Sequence, residues 1–147
     1  MSEQRWVAAI YSDDRPGTLT ALAEVFSTRG VSFDSLATGA VEGAAAAITV
    51  TFTATERRQH LLARTLARLA VVRTVRVRAA DDPGVRAVAA LRMPAGVELD
   101  VPAANIVRRE GSRELILVEG TYAEVDALIA AAHENGAVMT GFLILDV

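Results

Sequence analysis

The stretch from residue 48 to residue 53, ITVTFT, constrains the fold more than any other part of the sequence. Ile48, Val50 and Phe52 fall on one face of an extended chain, and the intervening threonines fall on the other. Alternation of this kind in β-branched residues is typical of a strand that has only one face on a core. It therefore predicts an antiparallel sheet that is covered by helices on one side.

Helical patterns stand on both sides of this predicted strand. Apolar residues recur at helical spacing in two segments, at Leu19, Leu22, Ala23 and Phe26 in the first and at Leu62, Leu66 and Leu69 in the second. Gly30 is a C-cap candidate for the first helix, and Thr55 opens the second. Apolar runs at residues 6–11, 31–40 and 71–77 predict the remaining strands, and residues 42–43 predict a hairpin turn. The order over residues 5–78 is therefore βαββαβ.

The second strand of this order, residues 31–40, carries a more detailed prediction. Val31, Phe33, Ser35 and Ala37 alternate with their neighbours and are expected to share one face.

The second half of the chain repeats this order in a shortened form. Residues 81–84, Asp-Asp-Pro-Gly, predict a linker between a domain at 1–80 and a domain at 85–147. The later segments predict a strand at 86–93, a hairpin about Gly111 and Ser112, a helix at 121–136 and a final strand at 137–147. The first helix of this half is expected to be reduced to residues 94–104. The predicted fold class is α+β, with a ferredoxin-like βαββαβ unit followed by an abbreviated one.

Composition excludes several classes of function. The net charge of −3 gives no whole-chain electrostatic case for binding nucleic acid. The absence of Cys excludes disulfides and thiolate metal sites, and His60 and His133 lie far apart in the sequence, so that they make a poor metal site without more ligands. No secretory h-region and no apolar stretch of membrane-spanning length is visible, so we expect a cytoplasmic protein without membrane contacts. Neither a metal nor a cofactor is predicted, and no catalytic residue is assigned.

The turn at residues 13–19, DDRPGTL, is the candidate binding site. A helix N-terminus exposes unpaired N–H groups that stabilise an anion, and Gly17 lets a ligand approach them closely. Thr18 and Leu19 would supply N–H donors, Asp14 could accept from an ammonium group, and Arg15 could pair with a carboxylate. A simpler interpretation stays open, in which Asp14 caps a helix whose first turn contains Pro16, and the Pro-Gly pair only sets the turn.

Three phrases in the sequence give a resemblance to a known family. These are the D-x-P-G-x-L turn, the sequence FSTRG at residues 26–30 and the sequence GVSFDSL at residues 30–36. In this order they resemble the ACT domain and, within that family, the regulatory (small) subunit of acetohydroxyacid (acetolactate) synthase. The resemblance covers residues 5–78 and, more loosely, residues 85–147, where GTYAEVD at 120–126 echoes a Gly-Thr turn of the second domain.

The resemblance implies a regulatory protein without catalytic activity. Its effector, an amino acid, would lie between the first loop of one chain and the second strand of a partner chain in a homodimer. Carried over by position, Asp14, Gly17, Thr18 and Leu19 would line one side of that site, with Ser32 and Phe33 on the other.

The enzyme that this protein would regulate is an acetohydroxyacid synthase catalytic subunit. Asp14 and Ser32 stand where valine-binding members carry Asn, so valine does not follow as the ligand. Two other functions stay open: an assembly protein whose site is empty, and a small enzyme on a ferredoxin-like scaffold.

Overall fold

A computed structural model describes residues 2–110 and 114–147. Contacts within the chain divide it into two compact units, which we call unit 1 (residues 2–80 and Val147) and unit 2 (Asp81–Asp146). Each unit contains one four-stranded antiparallel sheet. The predicted turn at Gly111 and Ser112 lies outside the described residues.

Unit 1 has the predicted βαββαβ order. Its elements are β1 (Glu3–Asp13), α1 (Thr18–Thr28), β2 (Phe33–Val41), β3 (Ala45–Thr55), α2 (Glu56–Ala67) and β4 (Val72–Ala79). The strands are arranged β2-β3-β1-β4, so that β2 and β4 form the two edges of the sheet. Both central strands run for eleven residues and pair along their whole length, from Glu3 opposite Thr55 to Asp13 opposite Ala45.

The core of unit 1 lies between the sheet and its two helices. Ile48, Val50 and Phe52 are buried there, as their alternation with threonine predicts. Phe26 of α1 packs edge-to-face on Phe52, with ring centroids 5.5 Å apart, and on Phe33 of β2 at 4.6 Å. Apolar side chains from one face of β3 thus meet the apolar stripe of each helix.

The predicted facing of the second strand is wrong. Val31 precedes β2, and the register shifts between Phe33 and Ser35. Phe33 is opposite Phe52, on the side of the helices, whereas Ser35 is opposite Thr51 on the other side of the sheet. An irregularity of this type places an extra residue in one strand, which interrupts the alternation on which the prediction depended.

The two helices of unit 1 begin in different ways. Thr55 is the N-cap of α2, and its Oγ1 accepts a hydrogen bond from the amide of Arg58 at 3.3 Å, as expected. In contrast, α1 begins at Thr18 after an N-cap at Gly17 that forms no side-chain cap. Pro16 therefore precedes the helix and does not lie in its first turn, and Asp14 does not cap it.

Unit 2 consists of β5 (Arg86–Arg92), β6 (Ile106–Glu110), β7 (Leu115–Thr121), α3 (Tyr122–Glu134) and β8 (Val138–Asp146), arranged β6-β7-β5-β8. Where the sequence predicted a shortened first helix at 94–104, the structure has a single 3-10 turn at Ala103–Asn105. The tight turn about Gly96 and two prolines, Pro94 and Pro102, interrupt this segment, so no amphipathic helix forms there.

A hydrogen-bond network joins that 3-10 turn to the start of α3. Asn105 is buried, and its Nδ2 donates to Oε2 of Glu124 at 2.7 Å and to the carbonyl of Glu119 at 3.2 Å. Thr121 and Glu124 form a reciprocal capping box. These hydrogen bonds lower the pKa of the Glu124 carboxyl, and the bond from Asn105 has the largest effect. The network therefore fixes the N-terminus of α3.

None of the helices within residues 2–110 and 114–147 is long and apolar enough to cross a membrane.

Candidate functional site

The loop between β1 and α1 is held at its start by the sheet. The amide of Asp13 donates to the carbonyl of Val71 at 2.8 Å, and that of Asp14 donates to the carbonyl of Ala44 at 3.0 Å. The Asp13 carboxylate pairs with the Nε of Arg73 at 2.9 Å. Since Asp13 is engaged in this way, only Asp14 of the two aspartates is available to a ligand.

Gly17 gives the loop its open face. It adopts a left-handed conformation with φ 89°, which a residue with a Cβ adopts at a cost. A Cβ added at this position would meet no atom within 4 Å. The space beside the Gly17 backbone is therefore accessible to another molecule.

The N–H groups of the first turn of α1 divide into bonded and unbonded ones. The amide of Thr18 donates to the carbonyl of Arg15 at 3.3 Å, and that of Ala21 donates to the carbonyl of Gly17 at 2.9 Å. Between them, the amides of Leu19 and Thr20 have no acceptor among the described residues. Two adjacent unbonded donors at the positive end of a helix favour a negative charge beside them.

The predicted ligand residues of the loop have different environments. Asp14, Arg15 and Leu19 are exposed, and neither charged side chain forms an ion pair within the part of the chain that is described. Thr18 is buried, and its Oγ1 donates to the carbonyl of Asp13 at 3.0 Å. The Thr18 side chain thus shapes the loop, whereas the other residues face solvent.

Ser12 is a polar residue of this region that the sequence analysis missed. It is fully buried at the end of β1, and its Oγ has no hydrogen-bond partner among the described residues. Ser12 is opposite Ala46 in β3 and Val72 in β4, two apolar positions. A serine on the core-facing side of an otherwise apolar strand end was the signal available in the sequence.

The other half of the predicted site, Ser32 and Phe33, lies at the opposite end of the sheet. Phe33 is level with Phe52 and hence with Trp6 of β1, whereas the loop follows Asp13. At 3.2–3.4 Å per residue, the strand from Trp6 to Asp13 spans about 23 Å. One chain therefore does not bring the two halves together.

Comparison with solved structures identifies the fold. The acetolactate synthase small subunit from Thermotoga maritima matches with a TM-score of 0.67 and 16% identity, over 98% of each chain. The chain has the fold of that small subunit. An unknown protein from Galdieria sulphuraria matches with a TM-score of 0.50 and 15% identity, over 98% of this chain and 99% of the other.

The resemblance to the acetolactate synthase small subunit and the ferredoxin-like α+β fold class are thereby confirmed. No protein-family model matches the sequence, and no curated protein matches it.

Proposed function

We propose that this protein is a cytoplasmic, non-catalytic regulator that binds an amino acid between two copies of itself and transmits occupancy to an acetohydroxyacid synthase catalytic subunit. Its fold is that of a protein named as an acetolactate synthase small subunit, and the likeness extends over both units. The residues of the loop supply binding groups for both charges of an amino acid.

The observation that carries this proposal is the direction of β2. This strand is an edge of the sheet and runs parallel to β1, because both pair antiparallel with β3. If the β2 edges of two copies pair about a two-fold axis perpendicular to the strands, the partner strand runs in the opposite direction. The partner's Phe33 would then lie at the end of the sheet where the first copy has its loop. Dimerisation would thus unite the two halves that one chain separates.

The exposed surface of β2 supports pairing with a second copy. Phe33 is 37% exposed and Leu36 is 41% exposed on this edge strand. An uncovered edge presents unpaired backbone groups together with these apolar side chains. A two-fold contact through the β2 edge would pair the free backbone N–H and C=O groups and bury the exposed apolar side chains of that strand.

Each loop residue then has a defined role towards an amino acid. The amides of Leu19 and Thr20 hold the carboxylate beside Gly17, with Arg15 as its counter-charge. Asp14 accepts from the ammonium group, which a carboxylate does more strongly than an amide. The partner's Ser32 and the partner's Phe33 close the site and contact the side chain of the ligand.

Isothermal titration calorimetry against the twenty amino acids tests the binding step. We expect at least one to bind and Asp14→Ala to weaken it roughly ten-fold or more, since a hydrogen bond to a charged group contributes about 1.5–3 kcal/mol. Glu98→Ala, an exposed acidic residue of unit 2, is the matched control. If none of the twenty amino acids binds, the result would favour an assembly protein with an empty site. If Asp14→Ala leaves the affinity unchanged, the ligand binds elsewhere.

The absence of cysteine makes the β2 contact directly testable. Single cysteine substitutions at Ser35, Ala37 and Gly39 test three possible positions of the two-fold axis along β2. In a symmetric pair, one of them should lie close enough to its own copy for a disulfide, which requires Cα atoms about 4.4–6.8 Å apart. Thr74→Cys, on the opposite edge strand β4, is the control. Crosslinking of the control alone would contradict pairing through β2.

Ligand and dimer should also be coupled. If an amino acid bridges the two copies, ligand binding should increase the affinity of the copies for each other. Dimerisation should increase the affinity for the ligand by the same factor. Coupling of this type is typically about 1–3 kcal/mol, or roughly 5- to 150-fold in affinity. Analytical ultracentrifugation with and without the ligand measures it.

A further inference from the structure

A groove between α1 and α2 is a second concave feature of unit 1. Its volume is about 240 Å³, and its lining residues are Ala21, Glu24, Val25, Thr28, Arg29, Thr65 and Leu69. Four of them, Ala21, Glu24, Val25 and Thr28, lie on one side of α1, and Arg29 is the C-cap residue of that helix. Pockets that bind drug-sized ligands have volumes of about 300–1,000 Å³, so this groove suits a smaller metabolite.

The Arg29 side chain is positioned at one side of this groove. Thr65 donates its single hydroxyl hydrogen to the carbonyl of Leu61 at 2.8 Å, so its Oγ1 accepts from Nη2 of Arg29 at 2.9 Å. The guanidinium is thereby oriented, but it forms no ion pair among the described residues. Its other N–H groups are available to a carboxylate, whose geometry matches the guanidinium.

A negative charge and an apolar floor complete the lining. The Glu24 carboxylate is exposed and forms no ion pair or hydrogen bond within residues 2–110 and 114–147. Ala21, Val25 and Leu69 line the groove with hydrocarbon, and Val25 is nearly fully buried. The groove therefore offers one cation, one anion and an aliphatic surface within a volume suited to a metabolite.

We propose that the groove between α1 and α2 binds a free aliphatic α-amino acid as a zwitterion, at a second site beyond the one in the proposed function. Arg29 holds the carboxylate, Glu24 accepts from the ammonium group, and the side chain rests on Val25 and Leu69. A lone phosphate or a dicarboxylate fits less well, because Glu24 repels additional negative charge. β2 contributes no residue to this site.

The charge requirement is tested with three compounds of similar size and shape. L-leucine carries both charges, leucinamide lacks the carboxylate, and 4-methylpentanoate lacks the ammonium group. Backbone amide chemical shifts of the intact protein report where each compound binds. We expect leucine to shift the amides of Ala21, Thr28 and Leu69, with each analogue binding roughly ten-fold or more weakly.

Two variants assign the charges to residues. Arg29→Gln should reduce the affinity for leucine and for 4-methylpentanoate and leave that for leucinamide nearly unchanged. Glu24→Gln should reduce the affinity for leucine and for leucinamide and leave that for 4-methylpentanoate nearly unchanged. Arg64→Gln, an exposed arginine of α2 outside the groove, is the matched control. Equal loss in all three variants, or no loss in any, would overturn the assignment.

The same spectra separate this site from the loop. Gly17→Ala should abolish shifts at Leu19 and Thr20 and leave those of the groove intact. Shifts confined to the loop would overturn the second site while the proposed function stands. Shifts confined to the groove would support the second site and leave the loop without leucine as a ligand. Binding to neither region would overturn the second site.

Discussion

Gly120→Ala is the substitution whose cost the structure defines best. Gly120 lies in β7 and is buried, and a Cβ at this position would stand 2.7 Å from Nδ2 of Asn105. Real Cβ atoms essentially never approach an atom within 3.0 Å, so the Asn105 amide, which its hydrogen bonds hold in place, must move. The same nitrogen donates both of its hydrogen bonds, to Glu119 and to Glu124, so displacing it breaks the network at the start of α3.

The expected magnitude follows from two opposing contributions. Inserting a methyl group into a packed site costs about 1–3 kcal/mol. Replacing Gly by Ala within a strand returns about 0.5–1 kcal/mol. We therefore expect urea denaturation at pH 7 to show a net loss of roughly 0–2.5 kcal/mol in the free energy of unfolding. Gly141→Ala in β8 is the control, because its Cβ would meet Ala90 at 3.7 Å, an ordinary contact distance, and it should be neutral or stabilising.

The pH dependence of this loss gives a second readout. Because Asn105 lowers the pKa of Glu124 in the folded state, that carboxylate stabilises the fold above its ordinary pKa of 4.5. The stabilisation disappears as the pH falls through the lowered value. The difference between wild type and Gly120→Ala should therefore shrink below pH 4.5.

Two results would refute this reasoning. One is a Gly120→Ala variant as stable as Gly141→Ala. The other is an unchanged cost of Gly120→Ala when Asn105 is also replaced by Ala, since removal of the amide should relieve the clash.

Three further predictions concern unit 1. Gly17→Ala and Gly43→Ala both place a side chain at positive φ, 89° and 79°, and each should destabilise the protein by about 1–2 kcal/mol. Only Gly17→Ala should also weaken amino-acid binding in calorimetry, and equal weakening by both would argue against the loop as the site. Phe26→Ala should cost about 3–5 kcal/mol in urea denaturation, because its ring is buried between two other phenylalanines, and a cost below about 1 kcal/mol would contradict that packing. The exposed arginines of α2 could dock an acidic surface of the catalytic subunit in the proposed function; Arg64→Glu should then slow association with that subunit and reduce its salt dependence in surface plasmon resonance, and an unchanged rate would exclude this face of α2 as the docking surface.

The regular parts of unit 1 could be predicted from the sequence because each rests on a local pattern. The alternation at Ile48, Val50 and Phe52 predicted both the strand and its buried face. Thr55 predicted the start of α2, since an N-cap is decided by a side chain and the backbone three residues away. Such features depend on neighbours in sequence, and these are visible without a structure.

The irregular parts could not be predicted because they depend on partners distant in sequence. The shift between Phe33 and Ser35 is set by pairing with β3, and no local alternation reports it. The role of Asn105 could not be predicted because its hydrogen-bond partner Glu124 lies 19 residues away in sequence. The composition of the candidate loop was visible, but the separation of its two halves by the length of the sheet became apparent only from the strand register.

The difference between the starts of α1 and α3 has a consequence for amide hydrogen exchange. The amide of Glu124 in α3 is bonded to Oγ1 of Thr121, so its exchange with solvent deuterium requires the helix start to open. The amides of Leu19 and Thr20 have no acceptor among the described residues, so they should exchange while α1 is fully formed. A carboxylate bound at the loop would slow these two amides selectively. The protein thus carries its own unlabelled reporter of occupancy, which mass spectrometry can follow without altering a residue.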